Sequence, residues 1–175
     1  MLLDMFSRFF EALNAGYLSK IFFLIGVSAI GFAYYMEHLH NLPPCVLCIY
    51  QRWVYFFIIF LSVLLFVIDK QGKKGSKTIM FIFFLTFFVG SVISLYHIGV
   101  EKNWWAGTES CAANGDFGNA DVDTLRKDLL QKSIPRCDEV LWSLFGISMA
   151  GYNFILSSLL SIFSLRYFKT MRNGS

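Results

Sequence analysis

The chain has 175 residues, 56% of them hydrophobic, 18% aromatic and only 15% charged, whereas soluble domains carry roughly 45–50% apolar and about 25% charged residues. Twenty phenylalanines against three prolines exclude collagen-like, linker-rich and disordered chains, and a net charge of +3 gives no reason to expect a nucleic-acid partner. The composition is that of one integral membrane domain, long enough for four spans of about 20 residues with short connections.

At the N-terminus, Leu2, Leu3, Phe6, Phe9, Phe10 and Leu13 recur at helical spacing among Asp4, Arg8 and Glu11. This pattern predicts an interfacial amphipathic helix rather than a cleaved signal. Apolar runs over residues 17–36, 45–68, 78–100 and 142–168 then predict four spans. The fold class is an all-α, four-helix membrane bundle, one domain over residues 1–175, with a long loop at 101–141. Small and polar residues form stripes along three of the spans: Gly26, Ala29 and Ala33; Thr86, Gly90, Ser94, His97 and Glu101; Gly146, Ala150, Asn153, Ser157 and Ser161. Such stripes are helix-packing faces, so His97 is expected to face the bundle.

Lysine and arginine set the expected orientation. One side carries Arg8, Lys20, Lys70, Lys73, Lys74, Lys77, Arg166, Lys169 and Arg172; the other has Lys102, Arg126, Lys127, Lys132 and Arg136, all in the acid-rich long loop. The positive-inside bias predicts cytoplasmic termini and puts Cys45, Cys48, Cys111 and Cys137 on the outer side, which in a bacterial-type cell is oxidising.

Cys45-Val46-Leu47-Cys48 follows Pro43-Pro44 and opens the second span. A spacing of three brings the two sulfurs together, and the amides and dipole of a helix N-terminus favour the thiolate that performs disulfide exchange. The competing reading is half of a zinc site completed by His38 and His40, although those histidines also suit a solvated loop. Arg52 lies on the same helix face, one turn beyond Cys48 and roughly 10 Å from the start of the motif at about 1.5 Å per residue. An arginine at that depth costs on the order of 3 kcal/mol on insertion scales, so it must snorkel, find a partner or hold a ligand. The functional reading is a fixed cation beside the thiols that holds a carbonyl-bearing, membrane-soluble electron acceptor. Cys111 and Cys137 share the long loop, where Val122, Leu125, Leu129 and Leu130 suggest a surface helix and a plain structural disulfide is a competing reading. Trp104 and Trp105 read as interfacial anchors.

Residues Pro44-Cys45-Val46-Leu47-Cys48-Ile49-Tyr50-Gln51-Arg52 resemble the signature of the DsbB family, the quinone-dependent membrane oxidases that regenerate a periplasmic thiol oxidase. The resemblance extends from about Leu42 to Asn153, taking in a histidine near the outer end of the third span, two cysteines in the second outer loop, and the stretches Arg136-Cys137-Asp138-Glu139 and Gly146-Ile147-Ser148. Gln51 departs from it, since many members have Glu there, and the histidine after Tyr96 is not placed identically in every branch. The resemblance implies a protein-disulfide oxidoreductase of the bacterial inner membrane that supports disulfide bond formation. In it, Cys111 and Cys137 take electrons from a DsbA-like, thioredoxin-like partner, Cys45 and Cys48 pass them on, and Arg52 with His97 accommodates ubiquinone or menaquinone. It also implies resting disulfides Cys45–Cys48 and Cys111–Cys137. An oxidant near −120 mV lies roughly 180 mV above an ordinary structural disulfide, a gap of about 8 kcal/mol, so the loop pair needs a downstream sink of the kind a quinone provides.

The alternative from another class is a membrane metal-binding or metal-delivery protein that uses His38, His40, His97 and the thiols.

Overall fold

The computed structural model describes residues 15–70, 76–108, 111 and 136–173. The expected interfacial helix at the N-terminus, the surface helix around Val122–Leu130 and the lysines at 73 and 74 lie outside the described residues. Among the described residues, four long helices make up the bundle: α1 Ala15–Leu39, α2 Val46–Lys70, α3 Ser76–Glu101 and α4 Met149–Asn173. At about 1.5 Å per residue, 25 residues reach some 37 Å, more than the roughly 30 Å hydrocarbon core. The first three are long and apolar enough to cross a membrane. The fourth is of similar length but carries Asn153 and four serines on its inner side, and it packs most extensively against α3, as α1 does against α2.

The fourth apolar run, expected to be helical from Trp142, starts differently. Residues Ser143–Leu144 and Ile147–Ser148 form two short antiparallel strands, β1 and β2, joined by Phe145 and Gly146 with φ of 51° and 78°. Two successive positive φ values make a turn whose twist suits a tight hairpin, and glycine supplies the second at no steric cost. Gly146 is therefore exposed in a turn and is not part of the packing stripe, which begins at Ala150.

The core lies toward the α1 N-terminal half, where Phe22 is wedged between Phe83 and Phe87 at ring separations of 4.7 and 5.4 Å and meets Phe163 edge-on. Leu18, Ile58, Leu65 and Met80 are fully buried around it, while Phe56, Phe57, Phe60, Phe88 and Val92 face outward, as expected of a lipid-facing surface. Since lipid is as apolar as the core, helix association relies on close packing and interhelical hydrogen bonds. Tyr55 on α2 donates to Asn153 Oδ1; the Asn153 amide donates to Ser94 Oγ at 2.9 Å; Ser91 and Ser158 are 2.7 Å apart. The stripes on α3 and α4 thus meet each other, and His97 is buried.

Two turns bring the polar segments to the same end as the motif. Asn41, at φ 52°, reverses the chain after α1 while the amides of His40 and Leu42 return to Met36 O. At the end of α3, Asn103 at φ 55° occupies the left-handed position of a Schellman cap, with Trp104 N bonded to Gly99 O and Asn103 N to Val100 O. The chain then folds back, so that Trp105 donates to Tyr96 O at 3.0 Å and stacks on the Tyr96 ring.

Close approach of α1 and α2 depends on Gly26, where an added Cβ would sit 2.7 Å from Ile59 Cγ1, whereas Gly31 has nothing within 4 Å. Gly26→Leu should lower stability by roughly 1–3 kcal/mol through overpacking, and Gly31→Ala should be neutral or raise it by about 0.5–1 kcal/mol. Thermal unfolding of the two variants in the same detergent checks the contrast.

Candidate functional site

Cys45 caps α2. Its carbonyl accepts the Ile49 amide at 3.1 Å, and its Sγ accepts the Cys48 amide at 3.4 Å, so a sulfur serves one of the amides that a helix N-terminus leaves unpaired. The extended Pro43-Pro44 segment aims Cys45 inward, where it is buried. The two sulfurs of the motif are 2.9 Å apart, with the Cys45 thiol donating to Cys48 Sγ; all four cysteines are free thiols.

The loop cysteines join them. Cys45, Leu47, Val100, Cys111 and Cys137 form one buried cluster, with Cys48 and Tyr96 against it. Leu47, in the first turn of α2, thus packs in the same cluster as Cys137. Cys111 is held by its amide bond to Thr108 O at 2.7 Å and lies over Gly107, where a Cβ would meet Cys111 Cβ at 2.8 Å. Burial first, and then the hydrogen bond with Cys111, push the Cys137 thiol above the usual range. Asp138 behaves oppositely: the Arg136 guanidinium grips both its oxygens, at 3.0 and 2.6 Å, and holds its carboxyl below the ordinary value.

His97 reaches the motif from α3. Its Nε2 is 3.6 Å from Cys45 Sγ and 3.8 Å from Glu101 Oε1, and its Nδ1 is 3.3 Å from the Gln51 amide. Glu101 is itself buried and accepts a hydrogen bond from Ser148 on β2, so the hairpin that displaces the start of α4 also supplies a partner to the site. Arg52 is paired, rather than snorkelled: it forms a salt bridge with Glu37 near the end of α1, donates to Ala33 O at 3.4 Å and stacks 4.9 Å over the Tyr34 ring. Trp105, read from sequence as an interfacial anchor, also packs on α3: a Cβ at Gly99 would collide with its indole.

Beside these groups lies a cavity of about 750 Å³. Leu24, Ile25, Ile30 and Leu156 wall its apolar length, while Cys45, Cys48, Arg52, His97 and Glu101 stand along its polar part and Arg136 and Glu139 also line it. The size is that of a small-molecule site with few, convergent polar groups. His38 and His40 are exposed and pack on Tyr34 and Tyr35; they are not among the residues that converge on the thiols, which are Cys45, Cys48 and His97.

Of the residues singled out in the sequence, all four cysteines, Arg52 and His97 come together. The sequence did not mark Glu37, Glu101 or Ser148 for this site. Glu101 had a local signal, four residues after His97 on one face; Glu37 had none and Ser148 only its place in the Gly146-Ile147-Ser148 stretch, because their partners sit on other elements.

A family model described as "Disulfide bond formation protein DsbB" matches residues 17–166, and the chain belongs to that family. It is similar to the disulfide bond formation protein B of Methylobacillus flagellatus, 27% identical over 82% of this chain and 86% of the relative. It is likewise similar to that of Aromatoleum aromaticum, 23% identical over 87% and 91%, and to an uncharacterized protein of Rickettsia prowazekii, 24% identical over 93% of each. The protein is a membrane disulfide bond formation protein.

Because one cluster holds all four thiols, combining Cys48→Ser with Cys111→Ser should leave Cys45 and Cys137 to join under mild oxidation. Peptide mapping should find most of the chain with that intramolecular cross-link; purely intermolecular dimers would contradict the shared cluster.

Proposed function

We propose that the protein is a thiol:quinone oxidoreductase, which reoxidises a DsbA-like, thioredoxin-like dithiol partner on the outer face of a bacterial inner membrane, with both termini cytoplasmic. The observation that carries this reading is the packing of both cysteine pairs together alongside the 750 Å³ cavity. In the working cycle the partner's dithiol attacks the Cys111–Cys137 disulfide, leaving with a disulfide of its own and two thiols on the loop. Those thiols in turn reduce Cys45–Cys48. Each exchange breaks one disulfide, makes one and moves two electrons through a mixed disulfide, which requires the two pairs to touch.

The cavity fits a quinone in shape and chemistry: apolar walls from α1 and α4 suit an isoprenoid chain, and donors at the thiol side suit carbonyl oxygens. When bound, a quinone supplies an acceptor for two electrons and two protons. Arg52 would hold it, presenting a planar guanidinium whose charge Glu37 balances and whose direction Ala33 O and Tyr34 fix. Cys48, half-buried and lining the cavity, is the sulfur placed to hand electrons on. Buried His97, between Cys45 Sγ and Glu101, takes the proton that the motif releases, with Glu101 stabilising the imidazolium that results.

Arg52→Lys keeps the charge but loses the fork, and should weaken quinone binding by about tenfold; Arg52→Ala should weaken it by about 100-fold, the scale of roughly 3 kcal/mol for a charged hydrogen bond. The double variant Glu37→Gln with Arg52→Ala removes the stranded carboxylate, separating ligand loss from misfolding. Quinone-reduction kinetics across quinone concentration read the effect as a rise in KM, while exchange of the loop pair with a thioredoxin-like dithiol continues. If Arg52→Ala folds and retains the original quinone dependence, the acceptor does not bind at Arg52.

A further inference from the structure

Three ligating side chains that the relay uses one at a time also form a set. Cys45 Sγ, Cys48 Sγ and His97 Nε2 all lie within 4.8 Å of one another. The Cys45 Sγ to Nε2 separation, 3.6 Å, equals the edge of about 3.6 Å that a tetrahedron with Zn–S of about 2.3 Å and Zn–N of about 2.0–2.1 Å requires. The two sulfurs, 2.9 Å apart, would open to about 3.8 Å, a small χ1 rotation. Glu101 Oε1, 3.8 Å from Nε2 with its other oxygen held by Ser148, lies outside the three-residue set, so the fourth position faces the cavity and solvent, as in zinc sites with three protein ligands. Gln51 Nε2 lies 3.3 Å from Nδ1; a half-turn of that amide, which exchanges its nitrogen and oxygen, would let its oxygen accept the Nδ1 proton and leave the Nε2 lone pair for a metal, the second contact that orients ligating histidines. The same cavity runs beside all three ligands and is also lined by Arg136 and Glu139. The charge of Arg52, the nearby cation, is balanced by Glu37.

We propose that in the dithiol state Cys45, Cys48 and His97 bind one soft divalent metal ion of the zinc class, with a solvent molecule in the fourth position, and that this ion holds the motif reduced. Binding converts two thiols to metal-bound thiolates with release of their protons; no electron moves, and the disulfide forms only after the metal leaves. The disulfide state has no thiolate to offer, so the site exists in one redox form alone. Metal binding itself is independent of the quinone reading, whereas the blocking of turnover rests on it.

The test uses reduced full-length protein in detergent with Cys111→Ser and Cys137→Ser, so that only the motif thiols remain. Titration with Co²⁺ should give one equivalent, with tetrahedral d–d bands and a thiolate-to-cobalt charge-transfer band, both displaced by Zn²⁺ and absent after oxidation to the disulfide. His97→Ala should weaken binding by about 100-fold and Gln51→Ala by about tenfold, with circular dichroism and gel filtration as fold controls. His97→Cys should restore affinity with added charge-transfer intensity, which keeps the test decisive if the alanine variant misfolds. An octahedral or absent cobalt spectrum overturns the site, as does affinity unaffected in His97→Ala. So does binding by the four-cysteine protein that disappears in the double-serine background. In a second arm, stoichiometric Zn²⁺ should slow quinone-driven formation of the Cys45–Cys48 disulfide by at least about tenfold, reversed by chelator. Binding without any slowing overturns the blocking role, and a protein that oxidises with no quinone at all overturns the relay while leaving the cobalt result to decide the site.

Discussion

Everything at the functional end hangs on the first turn of α2. A helix leaves its first amides without partners, and burying them unsatisfied is costly. Here the Cys48 amide is satisfied by Cys45 Sγ, and Leu47 in the same turn packs with Cys111 and Cys137 in one buried cluster. The first turn of α2 is therefore where the loop pair meets the helix pair, and exchange by mixed disulfide requires such proximity.

Around this turn, ionisable groups near the membrane are handled by pairing. Arg52 is matched by Glu37, and Glu101 by Ser148 and His97. The Arg52 pair also joins α1 to α2, and the Glu101 contacts join α3 to the β1–β2 hairpin, so the charges that tune the site also clamp the ends of the helices. Breaking a buried pair strands a charge, at about 3–5 kcal/mol, which is why single substitutions here must be separated from folding effects by compensating ones.

The body of the bundle makes no such demands. Its phenylalanine core and outward aromatic surface follow from composition, and its serine and asparagine contacts each contribute on the order of 0.6 kcal/mol. These contacts align α3 with α4 along one stripe and hold His97 at the depth of the motif.

Hydrophobic length and the 3.6-residue period were enough to mark the four apolar runs, the inward face of α3 and the cysteine motif at the start of α2, because these are properties of contiguous sequence. The same signals misplaced the start of α4: residues 142–148 are as apolar as a helix, and only the positive φ at Phe145 and Gly146 turns them into a hairpin. Spacing identified Arg52 as an expensive cation but not its partner, since Glu37 lies 15 positions earlier on another helix. Nor could it bring Cys111 and Cys137, 26 positions apart, to the α2 N-terminus. Those pairings belong to the tertiary structure, because a hydrogen bond or ion pair between elements depends on how helices rotate and where turns end, and sequence periodicity carries neither.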